Sequence, residues 1–253
     1  MSLRALPALQ DNYVWLLADD AGRALVVDPG EAAPVLAAAG GLDLVAVLLT
    51  HHHPDHIGGT AELLRRWPGA VVFAPEDERI PEPCRRVVDG ERIEIGPWAF
   101  EVLAVPGHTR SHIAYFGQGL LFCGDTLFSL GCGRLFEGTP AQMHASLSRL
   151  AALPPDTRAC CGHEYTEANA RFALTVDGSN AALHRHAAAV EELREAGKPS
   201  LPSTLATERA CNPFLRVEAA DVRAAIERHL GRATNDAIEA FAALRAWKDG
   251  FSG

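Results

Sequence analysis

The stretch THHHPDHIGG, residues 50–59, places four histidines and an aspartate within ten positions. It continues an apolar run, DLVAVLLT, with the composition of a buried strand. It leads into GTAELLRRW, where apolar residues recur at helical spacing. A histidine tag lies at a chain end beside flexible polar sequence, whereas this cluster is internal. One stray histidine is more often a hydrogen-bonded polar residue than a ligand. Several nitrogen donors and a carboxylate at a strand end point instead to a metal site. In extended chain alternate side chains face the same way, so His51 and His53 converge while His52 turns aside. Pro54 then bends the chain, leaving Asp55 and His56 for a second ion.

One motif seldom fills two coordination shells, so further donors are needed. Three candidates follow apolar runs beside glycine: His108 in VPGHTRSH, Asp125 in LLFCGDTLF and His163 in RACCGHEYT. Alone, each has an ordinary reading, as turn residue, helix cap or core histidine. Together, in order after HxHxDH, they complete seven ligands, five nitrogen and two oxygen. Such a set suits two borderline cations sharing one carboxylate. His112, His144, His184, His186 and His229 lack this setting and read as surface or packing residues.

The bulk properties exclude several classes. A length of 253 residues fits one large domain or two unequal ones. A net charge of −9 argues against a broad basic surface for nucleic acid. No apolar run approaches the roughly 20 residues of a membrane span, and the first residues lack the pattern of a signal peptide. The six cysteines include no CxxC pair and sit mostly in apolar runs, so they read as free thiols in a reducing cytoplasm. Short strand-like runs, YVWLLA to RACCGH, fill the chain up to His163. Beyond it, NAALHRHAAAVEELREAG, AADVRAAIERHL and NDAIEAFAALRAW read as amphipathic helices. Between the first two, KPSLPSTLATERACNPFLR reads as a loop-rich connection. The expected division is residues 1–165, mostly β and metal-binding, and 166–253, helical.

HxHxDH followed by GH, GDT and GH resembles the metallo-β-lactamase superfamily. That resemblance implies an α+β fold, a four-layer αββα sandwich with metal at its strand ends, here followed by a small all-helical C-terminal domain. LQDNYVWLL, VVDPGE, GDTLFSLGCGRLFEGT, CGHEYTEANARFA and NPFLR are similar to the glyoxalase II, or hydroxyacylglutathione hydrolase, family over nearly the whole chain. By position, the resemblance implies a first ion on His51, His53 and His108 and a second on Asp55, His56 and His163, with Asp125 bridging. Asp55 and Asp125 then act with a hydroxide held between the ions. The ions are divalent, with zinc the first choice and iron or manganese as alternatives. Asp28 in VVDPG reads equally as a turn former or as a hydrogen-bond partner behind a ligand.

The implied reaction is hydrolysis of S-(R)-lactoylglutathione to glutathione and D-lactate, the second step of methylglyoxal detoxification. A thiol of pKa about 8.5 leaves as thiolate without a strong general acid. The acidic chain needs a local basic pocket for this substrate, and the resemblance assigns it to Arg134, Phe136, Tyr165, Arg245 and Lys248. Arg245 and Lys248 are three apart and share a helix face; alone they read as a solvated helix end. Phe136 stands where many relatives have tyrosine, and Ser111 where GHTxGH usually has glycine. The partner is a small glutathione thioester, with neither nucleic acid nor membrane, and the expected state is a monomer in the cytoplasm. The nearest alternative is a mononuclear iron persulfide dioxygenase of the same superfamily. Further ones are a β-lactamase or lactonase, a nuclease, and a structural metal module.

Overall fold

The computed structural model describes residues 1–252. The chain forms two compact units. The first comprises Met1–Ala104, Ser111–Gly124 and Cys160–Glu164; the second comprises Val105–Arg110, Asp125–Ala159 and the chain from Tyr165 onward.

In the first unit a six-stranded sheet runs in the order β1 (Ser2–Ala8), β2 (Asn12–Ala18), β3 (Arg23–Val27), β4 (Asp43–Leu48), β5 (Val71–Pro75), β6 (Arg85–Val87). The first three strands pair antiparallel, and β3 to β6 pair parallel. Parallel neighbours require crossovers. Helix α1 (Ala33–Ala38) supplies one; α2 (Pro54–Ile57) and α3 (Thr60–Arg66) supply the next. Every residue of β2 is buried. Its side chains alternate, so Val14, Leu16 and Ala18 pack with Val35 of α1 and Leu63 of α3. Tyr13, Trp15 and Leu17 take the opposite face, where the Trp15 indole donates to the Cys161 carbonyl at 2.9 Å.

A second sheet begins with the antiparallel strands β7 (Arg92–Ile95), β8 (Trp98–Ala104), β9 (Ile113–Gly117) and β10 (Leu120–Gly124). The buried Tyr115 hydroxyl of β9 reaches the carbonyls of Leu49 and Phe73 at 3.0 and 3.2 Å, so the two sheets meet face to face here. A two-stranded ribbon, β11 (Leu127–Phe128) with β12 (Gly131–Cys132), lies in the second unit. Strand β13 (Arg158–Cys161) pairs at its start with β14 (Ser203–Thr204).

The rest of the second unit is helical: α4 (Pro140–Ala151), α5 (Thr166–Val176), α6 (Ala181–Glu195), α7 (Leu205–Cys211), α8 (Ala220–Leu230) and α9 (Ala237–Asp249). Thr139 and Gln142 close a capping box on α4, and Asn180, Thr204 and Asp236 cap α6, α7 and α9. Leu130, Ala170, Ala173, Leu183 and Cys211 form a core cluster in this unit. Helices α6, α8 and α9 fall on the runs beyond His163 expected to be helical. The segment read as loop-rich contains α7. Its three prolines obscure seven residues that start at a threonine cap and continue through the helix formers Leu205, Ala206 and Glu208.

Candidate metal centre

Beyond β4 the chain bends at Thr50 and His51; His53 is extended, with φ and ψ of −61° and 141°, and Pro54 then opens α2. His51 Nε2 lies 3.0 Å from His53 Nδ1. His52 faces elsewhere, with its Nδ1 3.4 Å from Asp77. Arg79 chiefly holds the Asp77 carboxyl well below the usual carboxylate range, against the opposing effect of burial, and Ser111 helps it through a 2.5 Å hydrogen bond. One turn into α2, His56 Nε2 lies 3.3 Å from His163 Nε2. Asp55 Oδ2 lies 3.5 Å from the first of these nitrogens and 3.4 Å from the second. Two nitrogens bound to one tetrahedral zinc, each at about 2.0–2.1 Å, sit about 3.3 Å apart. The spacing of His56 and His163 is therefore that of ligands to a common ion.

The far side of each imidazole fixes its tautomer. Thr50 Oγ1 donates to Asp28 Oδ2 at 2.7 Å and so accepts from His51 Nδ1 at 3.0 Å. His56 Nδ1 donates to the same Asp28 oxygen at 3.1 Å, and His163 Nδ1 donates to Asp11 at 2.7 Å. The Nε2 atoms of His51, His56 and His163 are left with lone pairs pointing inward, the form a metal requires. Asn12 donates to Asp55 Oδ2 at 3.1 Å and to the Asp55 carbonyl at 3.2 Å, which sets the carboxylate's direction.

The turn behind this cluster is tightly built. Asp28 has φ of 50°, and a Cβ on Gly30 would lie 1.9 Å from the Asp55 carbonyl oxygen. Only glycine lets VVDPG approach α2 this closely. The buried ring of His112 stacks on His51, with centroids 4.5 Å apart.

The second unit holds His108 and Asp125 together, Nε2 to Oδ2 at 3.4 Å. His108 Nδ1 donates to the Arg134 carbonyl at 2.9 Å, so its Nε2 also carries a lone pair. The same unit contains all the residues assigned to substrate. Phe136 is 63% exposed and stacks edge-on against His108, and Tyr165 packs against Phe128. Arg245 is only 5% exposed: it donates to the Cys132 carbonyl at 2.8 Å and pairs with Asp249 at 3.0 Å. Arg134 lies 3.6 Å from the same Asp249 carboxylate. Lys248 donates to the Ala168 carbonyl at 3.1 Å. Burial, then the charges of Arg245, Arg171 and Arg134, lowers its ammonium pKa to about 8, with Asp249 opposing.

Asp11, Asn12 and Thr50 have no assigned role in the sequence reading. Asp11 and Asn12 look like ordinary polar residues of the β1–β2 turn. The one visible signal for Asp11 and Asn12 is their place at the start of a strand buried along its whole length.

A metallo-β-lactamase superfamily model matches residues 9–163, and a model of the hydroxyacylglutathione hydrolase C-terminus matches residues 164–251. The crystal structure of BLEG-1 B3 metallo-β-lactamase aligns with a TM-score of 0.66 at 23% identity, covering 85% of this chain and 99% of that one. That of ETHE1 from Myxococcus xanthus aligns at 0.65 and 26%, covering 98% and 100%. The fold and its histidine–aspartate clusters, which fit a pair of metal ions, define a metallohydrolase-type enzyme of the metallo-β-lactamase superfamily, an αββα sandwich with a helical C-terminal region. The hydroxyacylglutathione hydrolase of Xanthomonas axonopodis pv. citri (strain 306) is 56% identical over 253 residues, 99% of each chain. The chain belongs to the hydroxyacylglutathione hydrolase family.

Proposed function

We propose that this enzyme hydrolyses S-(R)-lactoylglutathione, a 2-hydroxyacylglutathione thioester, to glutathione and D-lactate, the second step of methylglyoxal detoxification. The convergence of Asp55, His56 and His163, with each imidazole's outer nitrogen already occupied, carries the reading. The name borne by relatives at 54–56% identity over 99% of the chain supports it. It also favours the hydrolase over the persulfide dioxygenase.

His51, His53 and His108 would hold one divalent ion and Asp55, His56 and His163 the other, with Asp125 available to both. Zinc suits these donors best, with iron and manganese next. When bound, such a pair supplies water of pKa lowered to around 7 and polarises the thioester carbonyl. Asp28, Asp11 and the Arg134 carbonyl keep the imidazoles deprotonated on their inner nitrogens, and Asn12 keeps Asp55 aimed at the same point. The thiolate leaves without help from an acid.

Residues 1–165 carry the metals, and 166–253 with the Arg134–Phe136 segment bind glutathione. Arg134 and Lys248 offer charge to its glycine carboxylate with the Arg245 charge behind them, and Tyr165 donates a phenol hydrogen bond. All six cysteines are free, which supports a cytoplasmic site. Among the described residues no helix is long and apolar enough to cross a membrane. We take the enzyme to be a monomer. Thiol release from the thioester, followed with a thiol reagent, tests the whole reading; a rate no higher than that of a chelated control overturns it.

Two consequences follow for substrate affinity. A lysine whose pKa is lowered to about 8 is charged below that pH and neutral above it. KM therefore rises as pH passes upward through 8, and Lys248→Gln flattens that limb; a KM profile identical in both proteins refutes the assignment. Restoring the hydroxyl with Phe136→Tyr adds one hydrogen bond, about 0.5–1.5 kcal/mol, and lowers KM about two- to tenfold with kcat unchanged. Steady-state kinetics on one thioester decide this.

A further inference from the structure

The β11–β12 ribbon turns through Ser129 and Leu130, and Leu130 has φ of 59° although it is a fully buried leucine. A bulky side chain in the left-handed region is strained and persists only where its surroundings hold it. The holder is Glu208 of α7, itself fully buried. Its Oε1 accepts from the Ser129 hydroxyl at 2.8 Å, and its Oε2 accepts from Leu130 N–H at 2.8 Å and from Asn212 Nδ2 at 3.1 Å. No cation pairs with it among the described residues, so these donors must offset the cost of its burial.

The rest of the ribbon is tied in the same way. Asn212 Nδ2 also donates to the carbonyls of Phe128 and Gly131, at 3.1 and 2.9 Å. Asn169 donates to the Ser129 carbonyl at 3.0 Å, and Arg245 to that of Cys132 at 2.8 Å. From Phe128 to Cys132 the backbone is thus held by side chains of the helical region. Arg134 follows two residues on, with its carbonyl secured separately by His108.

We propose that Glu208 is a positioning residue: through Ser129 and Leu130 it fixes the ribbon in the conformation that presents the Arg134 side chain to the carboxylate of the substrate. The part played by Arg134 rests on the thioesterase reading; the hold on the ribbon does not. Because His108 ties the far end, loss of Glu208 falls on substrate affinity rather than on the chemical step.

The experiment uses the full-length metal-loaded enzyme with Glu208→Gln, and with Ser129→Ala as the milder change. Hydrogen exchange of the amides from Leu127 to Arg134 accelerates about tenfold in Glu208→Gln, confined to that segment. KM for the thioester rises about tenfold, while kcat stays within about twofold and metal content is unchanged. Ser129→Ala gives the same pattern at about threefold, and it decides the matter alone if Glu208→Gln fails to fold. Unchanged exchange in the ribbon, acceleration spread over the whole chain, or a fall in kcat at constant KM overturns the proposal. Local acceleration with KM unmoved overturns its link to Arg134. A wild-type enzyme inactive on thioesters sinks the functional reading instead, and the exchange data still judge the hold of Glu208 on the ribbon.

Discussion

His56→Ala lowers thioester hydrolysis by about three orders of magnitude and leaves the enzyme one ion short. Metal assistance is worth several kcal/mol in the transition state, and each 1.4 kcal/mol is about tenfold in rate. His56 stands at the centre of its cluster: Nε2 is 3.3 Å from His163 and 3.5 Å from Asp55, while Nδ1 is anchored on Asp28 at 3.1 Å. Removing it takes away one of that ion's two imidazoles and opens a cavity at a site only 1% exposed. Elemental analysis gives the ion count and the thiol assay gives the rate. Two ions per chain with a wild-type rate would show that Asp55, His56 and His163 do not form a coordination site. As a control, His184→Ala removes an exposed imidazole that bonds to the Gly178 carbonyl at 2.8 Å, away from the candidate ligands, and it leaves both readings unchanged.

The approach of His51 to His53, away from His52, is legible in the sequence because the three are neighbours in the chain. His51 and His53 face each other while His52 turns to Asp77, as alternation predicts, although the strand ends at Leu48 and the chain bends at Thr50 and His51. Which later donors join them follows from the family resemblance, since His163 lies 107 positions from His56. What lies behind the ligands depends on distant chain. Asp11 meets His163 across 152 positions and Asn12 meets Asp55 across 43, and nothing local marks either as special. Asp28 supports two readings in the sequence, and both hold: it has a left-handed backbone before Pro29 and also anchors His56. The helical region shows the opposite limit. Helical spacing places Arg245 and Lys248 on one face, but it cannot reveal that Arg245 is buried against Cys132 and Asp249 while Lys248, on α9, donates to the Ala168 carbonyl of α5. Likewise a glutamate in ATERAC gives no hint that it is buried, because its partners lie 78 and 79 positions away.

Asp28→Ala, at a residue the family resemblance places behind the ligands, weakens metal binding and turnover by about 100-fold, the upper end of what the loss of a ligand's hydrogen-bond partner usually costs. The size follows from one carboxylate serving two ligands. Asp28 Oδ2 receives His56 Nδ1 directly and fixes His51 through the Thr50 hydroxyl, while Oδ1 takes the Thr50 N–H at 2.8 Å. Asn at this position is no rescue. If the amide nitrogen replaces Oδ2, it faces two donors, Thr50 Oγ1–H and His56 Nδ1–H; if it replaces Oδ1, it faces the Thr50 N–H. Either orientation leaves buried donors unmatched, at about 1–3 kcal/mol each. In the first orientation both rings are then free to change tautomer and offer N–H where the ion needs a lone pair. Competitive chelation measures the affinity. If Asp28→Asn keeps two ions at wild-type affinity, the tautomers are set by something other than this carboxylate.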